Sequence, residues 1–425
     1  MNILIITSQY HPAQTPNTLR WQPLIREFVS RGHTVSVLTT LRKGYGSHQV
    51  HEGVSIYRAG YNTLLDRVYD LMNKKHRRNE VGGYSAGTGV LSGMIQSMVD
   101  KSWRSRYWPD GSKLFLNPGI ALGKKLVSEK NIDRIISVGL PFTCHLIAQA
   151  LKDDYPHVHW HMDIQDPFSY SKEFWVNNFS KYEDRNVKAE KEAFIACDAA
   201  SVTNERAMEK YVELIPESQG KLSVIPPLFS PFDDAQKYDM QLFEQKIHLS
   251  YCGSFYSEVR SPERFLKFLT RLHEDDPSLM DRFQFHFIGQ LDSHSRAILS
   301  SYSSIRRWYV LHGFKTRSQC MDAMLQSDVL LNFGNTTDYH LPSKVVDLLY
   351  CAKPVVNLIS HEEDSTGRFM EGRDLAILNL QLDDNEFSAQ KNAFLKFISE
   401  PRTSSPSDKA VAAFLPEVLA TDYLD

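Results

Sequence analysis

Leu341-Pro-Ser-Lys-Val-Val-Asp347-Leu-Leu-Tyr-Cys-Ala-Lys-Pro-Val355 is the stretch on which the fold turns. Pro and Ser open a helix, since Pro lacks the N–H that a first turn leaves unbonded and Ser caps it. Lys353-Pro354 ends the helix, and Val355-Val-Asn-Leu-Ile359 then reads as a buried strand. A helix start with Lys344 in its first turn is a ready site for a phosphate or diphosphate. Asp347, one turn further on, is placed to hold ribose hydroxyls. An ordinary capped surface helix in an α/β protein fits the same residues.

Short β-rich runs surround this segment. Asn2–Ile6, Val35–Leu38, Val54–Tyr57, Arg134–Val138, Val158–His161 and Ala200–Thr203 form one series. His248–Cys252, Phe283–Ile288, Trp308–Leu311, Asp328–Phe333 and Pro354–Ile359 form a second. Helical patterns alternate with both, among them Pro262–His273, Ser293–Ser301 and Ser318–Gln326, which predicts parallel sheets wrapped by helices. The proline-rich segment Ile225-Pro-Pro-Leu-Phe-Ser-Pro-Phe-Asp-Asp234 separates the two series. The expected organisation is a domain over 1–225, a linker at 226–246, a domain over 247–405, and a C-terminal helix at 406–425 that packs back on the first domain.

With 425 residues, the chain is long enough for two cores. A hydrophobic fraction of 42% and a charged fraction of 23% are those of a soluble globular protein. No apolar run has transmembrane length, and Met1–Ile6 reads as a first strand rather than a signal peptide. Five scattered cysteines predict a reducing, cytoplasmic setting without a disulfide or zinc framework. Charge is uneven: residues 1–130 carry 18 Lys+Arg against 8 Asp+Glu, and the remainder 30 against 43. The excess falls in an irregular, glycine-broken insertion at about 42–116, in Lys74, Lys75, Arg77 and Arg78 and around Trp103 and Trp108. Cations interleaved with Trp suit an anionic membrane surface; stacking on single-stranded nucleic acid and a solvated basic loop are the alternatives. The acidic remainder argues against nucleic acid.

The order of motifs resembles the GT-B glycosyltransferases, specifically the large retaining family 4. Met1-Asn-Ile-Leu-Ile-Ile-Thr-Ser-Gln-Tyr-His-Pro12, Leu19-Arg20-Trp21 and Arg31-Gly-His-Thr-Val-Ser-Val37 are similar to its opening strand, loop and helix. Ser137-Val-Gly-Leu-Pro-Phe142 and His161-Met-Asp-Ile-Gln-Asp-Pro-Phe168 resemble mid-domain segments. Tyr251-Cys-Gly-Ser-Phe-Tyr-Ser-Glu-Val-Arg260-Ser-Pro-Glu263 resembles the first strand and loop of the donor domain. The implied fold is α/β, with two Rossmann-like domains facing each other across a cleft.

The resemblance implies a nucleotide-sugar-dependent transferase that retains anomeric configuration, with a glycan or lipid-linked acceptor of cell-surface polysaccharide. It places the enzyme in the cytoplasm, peripheral on the inner face of the membrane. Gly253, Ser254, Arg260, Ser343, Lys344 and Asp347 are its implied donor residues. Asp166, Arg260 and Lys344 are its catalytic residues, while Arg20, His161, Asp163 and His340 meet acceptor or sugar. No metal or other cofactor is expected, because Arg260, Lys344 and the helix dipole neutralise the diphosphate. The chain departs from the family at Tyr339, where the first acid of its paired motif stands. Two alternatives stay open, a nucleotide-sugar epimerase on the same fold and a non-catalytic scaffold.

Overall fold

A computed structural model describes residues 1–13, 15–42, 44–62, 107–174, 176–240, 242–243, 245–256, 259–400 and 405–424. The chain forms two compact units, Met1–Pro226 with Pro416–Asp425, and Pro227–Leu415.

The first unit is an eight-stranded sheet in the order β3-β4-β2-β1-β5-β6-β7-β8. Its strands are β1 (Asn2–Ile6), β2 (Thr34–Thr39), β3 (His48–His51), β4 (Val54–Arg58), β5 (Arg134–Gly139), β6 (His159–Ile164), β7 (Ala199–Val202) and β8 (Leu222–Val224). Every pairing is parallel except β3 with β4. Central β1 and β5 are buried on both faces, which explains why they are mostly apolar. The helices are α1 (Pro16–Ser30), α2 (Lys113–Lys130), α3 (Thr143–Asp154), α4 (Phe179–Ala196) and α5 (Glu205–Leu214). Thr15 caps α1 by accepting from the Thr18 N–H, and Pro16 takes the first helical position.

The second unit is a six-stranded parallel sheet in the order β11-β10-β9-β12-β13-β14. It comprises β9 (Ile247–Cys252), β10 (Phe283–Ile288), β11 (Tyr309–Gly313), β12 (Val329–Phe333), β13 (Val355–Ile359) and β14 (Ile377–Gln381). Helices α6 (Glu263–Asp275), α7 (Ser293–Ser301), α8 (Arg317–Gln326), α9 (Val345–Cys351), α10 (Ser365–Met370) and α11 (Phe387–Ser399) wrap it. An aromatic core of Tyr251, Phe255, Phe265, Phe285, Phe287 and Phe333 fills one face.

The doubly wound α/β class follows the sequence, and the edges differ from it. Strands β3, β8 and β14 were not anticipated; all three lie at sheet edges, where half-exposed residues carry no unbroken apolar run. The insertion expected at 42–116 contains β3, β4 and the start of α2, and residues 63–106 lie outside the described ones. Residues 227–246, expected as a linker, belong to the second unit, with Met240 buried against Ile288 and Ala323. Residues 416–425 belong to the first unit as helix α12 (Pro416–Asp422) and its end, whereas 406–415 belong to the second.

One interior network ties the C-terminus down. Arg20 Nη2 donates to Tyr423 Oη at 2.8 Å and to the Ile225 carbonyl at 3.1 Å, while Nη1 donates to the Pro226 carbonyl at 2.7 Å. Tyr423 Oη donates in turn to Asp163 Oδ1 at 2.8 Å. Tyr423→Phe keeps the ring but strips a buried partner from both Arg20 and Asp163. The expected cost is about 1–3 kcal/mol, read as a lower urea midpoint at unchanged slope.

Candidate functional site

In the second unit the strand order runs outward from β9 in one direction and from β12 in the other, so these two neighbours mark the topological switch point. Ligands of open α/β sheets bind outside the strand carboxyl ends at such a point. Here three adjacent strands end on glycine: Gly289 follows β10, Gly253 follows β9 and Gly334 follows β12. A side chain on Gly289, which has φ +149°, would run into the Gly253 carbonyl. A Cβ on Gly253 would stand 2.7 Å from Tyr251 Oη and 2.9 Å from Lys344 Nζ. The backbone is therefore bare where two cationic side chains converge.

The first of these is Lys344. Its Nζ is shut off from solvent and makes no hydrogen bond. It lies 3.7 Å from the centroid of the Tyr251 ring, whose face partly compensates the charge. Burial, and then the nearby Arg260, hold this amine well below the usual lysine range. The second is Arg260, which donates through Nη2 and Nε to Asn335 Oδ1 at 2.7 and 3.1 Å, and through Nη1 to Tyr251 Oη at 3.2 Å. Tyr251 Oη donates to the Ser254 carbonyl at 3.1 Å. Arg260 is thus oriented by two neutral groups, and neither cation is neutralised by an acid among these contacts. Sequence reasoning placed Gly253, Ser254, Arg260 and Lys344 here. It missed Tyr251, Gly289 and Asn335, although the glycine after each strand was a visible signal.

Three residues expected on the donor side have the following surroundings. Helix α9 begins at Val345 with Lys344 as its N-cap, so Ser343 makes no capping bond and is exposed, and seven residues give the helix little dipole. Asp347 has both oxygens on Arg317, at 2.8 and 3.0 Å, and Arg317 also holds the Ser230 carbonyl. Its carboxylate therefore serves an internal ion pair. His340 is buried, with Nδ1 at 2.7 Å from Thr337 Oγ1 and its ring against Tyr339.

In the first unit, His161 and Asp163 share a face of β6 and meet Ser201 on β7. His161 Nε2 lies 2.9 Å from Ser201 Oγ, which donates to Asp163 Oδ1 at 2.9 Å. Burial pushes the His161 imidazole down to about 4, so it is neutral at pH 7. With Arg20 in the same network, these three residues, expected to face an acceptor or sugar, are held in the interior. Asp166 stands beyond the end of β6, and burial pushes its carboxyl up to about 6. Lys74, Lys75, Arg77, Arg78 and Trp103 lie outside the described residues. Trp108 is anchored: its ring stacks on Arg185 at 3.7 Å and its Nε1 donates to Asn186 Oδ1 at 3.0 Å. No helix among the described residues is long and apolar enough to cross a membrane.

No protein-family model and no curated protein sequence matches the chain. Solved structures do. The α,α-trehalose 6-phosphate synthase of Burkholderia multivorans superposes with TM-score 0.62 at 13% identity, covering 100% of this chain and 98% of that one. Sucrose-phosphate synthase of Thermosynechococcus elongatus gives TM-score 0.58 at 12% identity, covering 100% and 94%. WaaG, a glycosyltransferase involved in lipopolysaccharide biosynthesis, gives 0.54 at 11%, covering 99% and 94%. At these identities the likeness is one of fold: the chain has the two-sheet α/β fold of the GT-B glycosyltransferases.

An unpaired buried amine opposes folding, so Lys344→Met should raise the melting temperature. A gain of about 1 kcal/mol corresponds to roughly 2–4 °C, measurable by calorimetry on the apo protein.

Proposed function

We propose that the chain is a glycosyltransferase that moves a sugar from a nucleoside-diphosphate sugar to a hydroxyl of a glycan or lipid-linked acceptor, with retention of configuration. The observation that carries this reading is Lys344, a buried amine without an acceptor, placed with Arg260 over glycine-ended strands at the switch point. A diphosphate supplies what the pair lacks: anionic oxygens small enough to reach bare backbone. Charge grows on that diphosphate as the glycosidic bond breaks, so Arg260 and Lys344 stabilise the leaving group most in the transition state. Attack from the same face lets the departing phosphate oxygen take the acceptor's proton. Asp166 is assigned the role of orienting, as a carboxylate, an acceptor hydroxyl held on the first unit. A diphosphate ligand is also supported by MnaA of S. aureus, solved with UDP, which superposes at TM-score 0.51 and 13% identity, covering 99% of this chain and 94% of that one. The cationic residues of 1–130 favour an acceptor with an anionic or lipid carrier.

The test is a thermal-shift screen of UDP, GDP, ADP, CMP and their common sugar conjugates without added metal. One nucleotide should stabilise wild type and fail with Lys344→Ala; no response to any of them would overturn the reading.

Two pH dependences follow. Lys344 sits below its ordinary pKa when empty and returns toward it when a diphosphate pairs with it, so binding takes up a proton. Affinity should therefore fall as pH rises between the lowered and the ordinary pKa. Calorimetry in two buffers of different ionisation heat reads that uptake directly. Asp166 should give kcat/KM an acid limb near pH 6, with activity rising as pH climbs through it. Asp166→Asn should abolish that limb and cost about 10²-fold or more in rate.

A further inference from the structure

Beside the end of β12 stands an acid that the diphosphate contacts leave unused. Asn332, Asn357 and Asn379 occupy one register position across β12, β13 and β14. Their amides are bonded in line: Asn332 Nδ2 donates to Asn357 Oδ1 at 2.7 Å, and Asn357 Nδ2 donates to Asn379 Oδ1 at 2.8 Å. Asn357 Nδ2 also donates to Asp364 Oδ1 at 2.8 Å. That same oxygen caps α10 by accepting the Gly367 N–H at 2.9 Å. Two donors on one oxygen hold the carboxylate in a single orientation.

The other oxygen has nothing. Asp364 is 2% exposed, and its Oδ2 is shut off from solvent without a hydrogen-bond partner among the described residues. Arg368, the nearest cation in sequence, is paired with Glu363. Lys344 has Arg260 and Asp347 as its charged neighbours, so the unmet amine and the unmet acid do not answer each other. Oδ2 faces Gly334, the glycine that ends β12, where a Cβ would stand only 2.4 Å away. Gly334 lies outside the left-handed region, so what the glycine supplies is room beside this oxygen. A cavity of about 40 Å³ adjoins Gly334 between Ser261 and Ser360, enough for a hydroxyl or a water. The next residue, Asn335, is the one that steers Arg260.

A carboxylate oxygen accepts hydrogen bonds and cannot donate them. It repels phosphate, so the group that satisfies Asp364 is a neutral hydroxyl and not a diphosphate oxygen. Lys344 lacks an anion and Asp364 lacks a donor. One ligand that joins a diphosphate to a polyol supplies both. We propose that Asp364 is a specificity residue of the donor site, whose Oδ2 accepts a hydroxyl of the transferred sugar while Gly334 stays bare to admit it. The assignment rests on the nucleotide-sugar reading and concerns the part of the donor that the two cations do not touch.

Calorimetric titration of the full chain with UDP, GDP and ADP, and with UDP-glucose, GDP-mannose and ADP-glucose, tests it. Asp364→Asn keeps Oδ1 with both of its bonds and puts an N–H donor where Oδ2 stood. It should weaken binding of the sugar conjugate about 10-fold or more and change binding of its diphosphate less than about twofold. Gly334→Ala leaves the acid in place and fills the room beside it. It should give the same split, and it serves alone if Asp364→Asn does not fold. Both ligands carry the ribose, so an equal loss for the two marks a ribose contact or a structural role and overturns the assignment. Unchanged conjugate affinity, or a diphosphate that binds while no conjugate does, overturns it as well. Absence of binding by any of these ligands to wild type would instead remove the nucleotide-sugar reading, and the assignment with it.

Discussion

An amine removed from water without a hydrogen-bond acceptor is the constraint around which the second unit is arranged. Such a group costs stability wherever it occurs, and its surroundings limit that cost without removing it. The Tyr251 ring offers its negative face to Lys344, and the hydroxyl of the same ring is occupied by Arg260 and the Ser254 carbonyl. Arg260 is in turn steered by the amide oxygen of Asn335, whose nitrogen donates to the His340 carbonyl at 2.8 Å. One continuous set of bonds therefore links the turn after β9 to the loop before α9. The two cations are rigidly placed and left electrostatically unmet. The diphosphate reading proposed above rests on this rigid placement.

Sequence patterns make the sheets legible because parallel strands buried on both faces are written as short apolar runs. β1 is of this kind and β5 nearly so, with Ser137 interrupting its run, while β10 alternates Phe with Gln284 and His286. The edges are not so written, and β3, β8 and β14 went unseen for that reason. At the site, glycine, arginine and lysine in the Tyr251–Glu263 and Leu341–Val355 stretches could be placed because small backbone and fixed cations have few other uses at a strand end. Asp347, His161, Asp163 and His340 could not. Whether such a side chain faces a ligand or a neighbour depends on partners distant in sequence: Arg317 for Asp347, and Ser201 and Tyr423 for Asp163. A linear motif carries no information about those partners. The 227–246 segment misled for a related reason. Its prolines forbid regular structure, and nothing local shows that Met240 finds a hydrophobic seat or that Tyr238 and Phe243 find imidazoles.

In the first unit, a group of buried polar side chains is paired internally. Arg20 spends its guanidinium on two carbonyls and a phenol, and Tyr423 reaches Asp163 from the far end of the chain. Arg20, His161 and Asp163 are all buried within this network, which makes them poor candidates to contact substrate. Asp166 lies two residues past the end of the same strand, and burial pushes its carboxyl up to about 6.

Tyr339 is explained by the same bookkeeping. The His340 carbonyl receives both the Asn335 side chain and Ser365 Oγ, at 2.8 and 2.7 Å. Two donors on one carbonyl fix the loop's path, and that path turns position 339 inward, where its side chain is 6% exposed. An acid at this position would be buried beside His340 without a cation, at a desolvation cost of several kcal/mol. A phenol carries no such charge and packs against the imidazole. The departure from the paired-acid motif is thus coupled to Asn335 and Ser365, which set the loop. It leaves Arg260 and Lys344 untouched, so under the proposed function the loss of the acid bears on how a sugar would be held and not on the proposed diphosphate contacts.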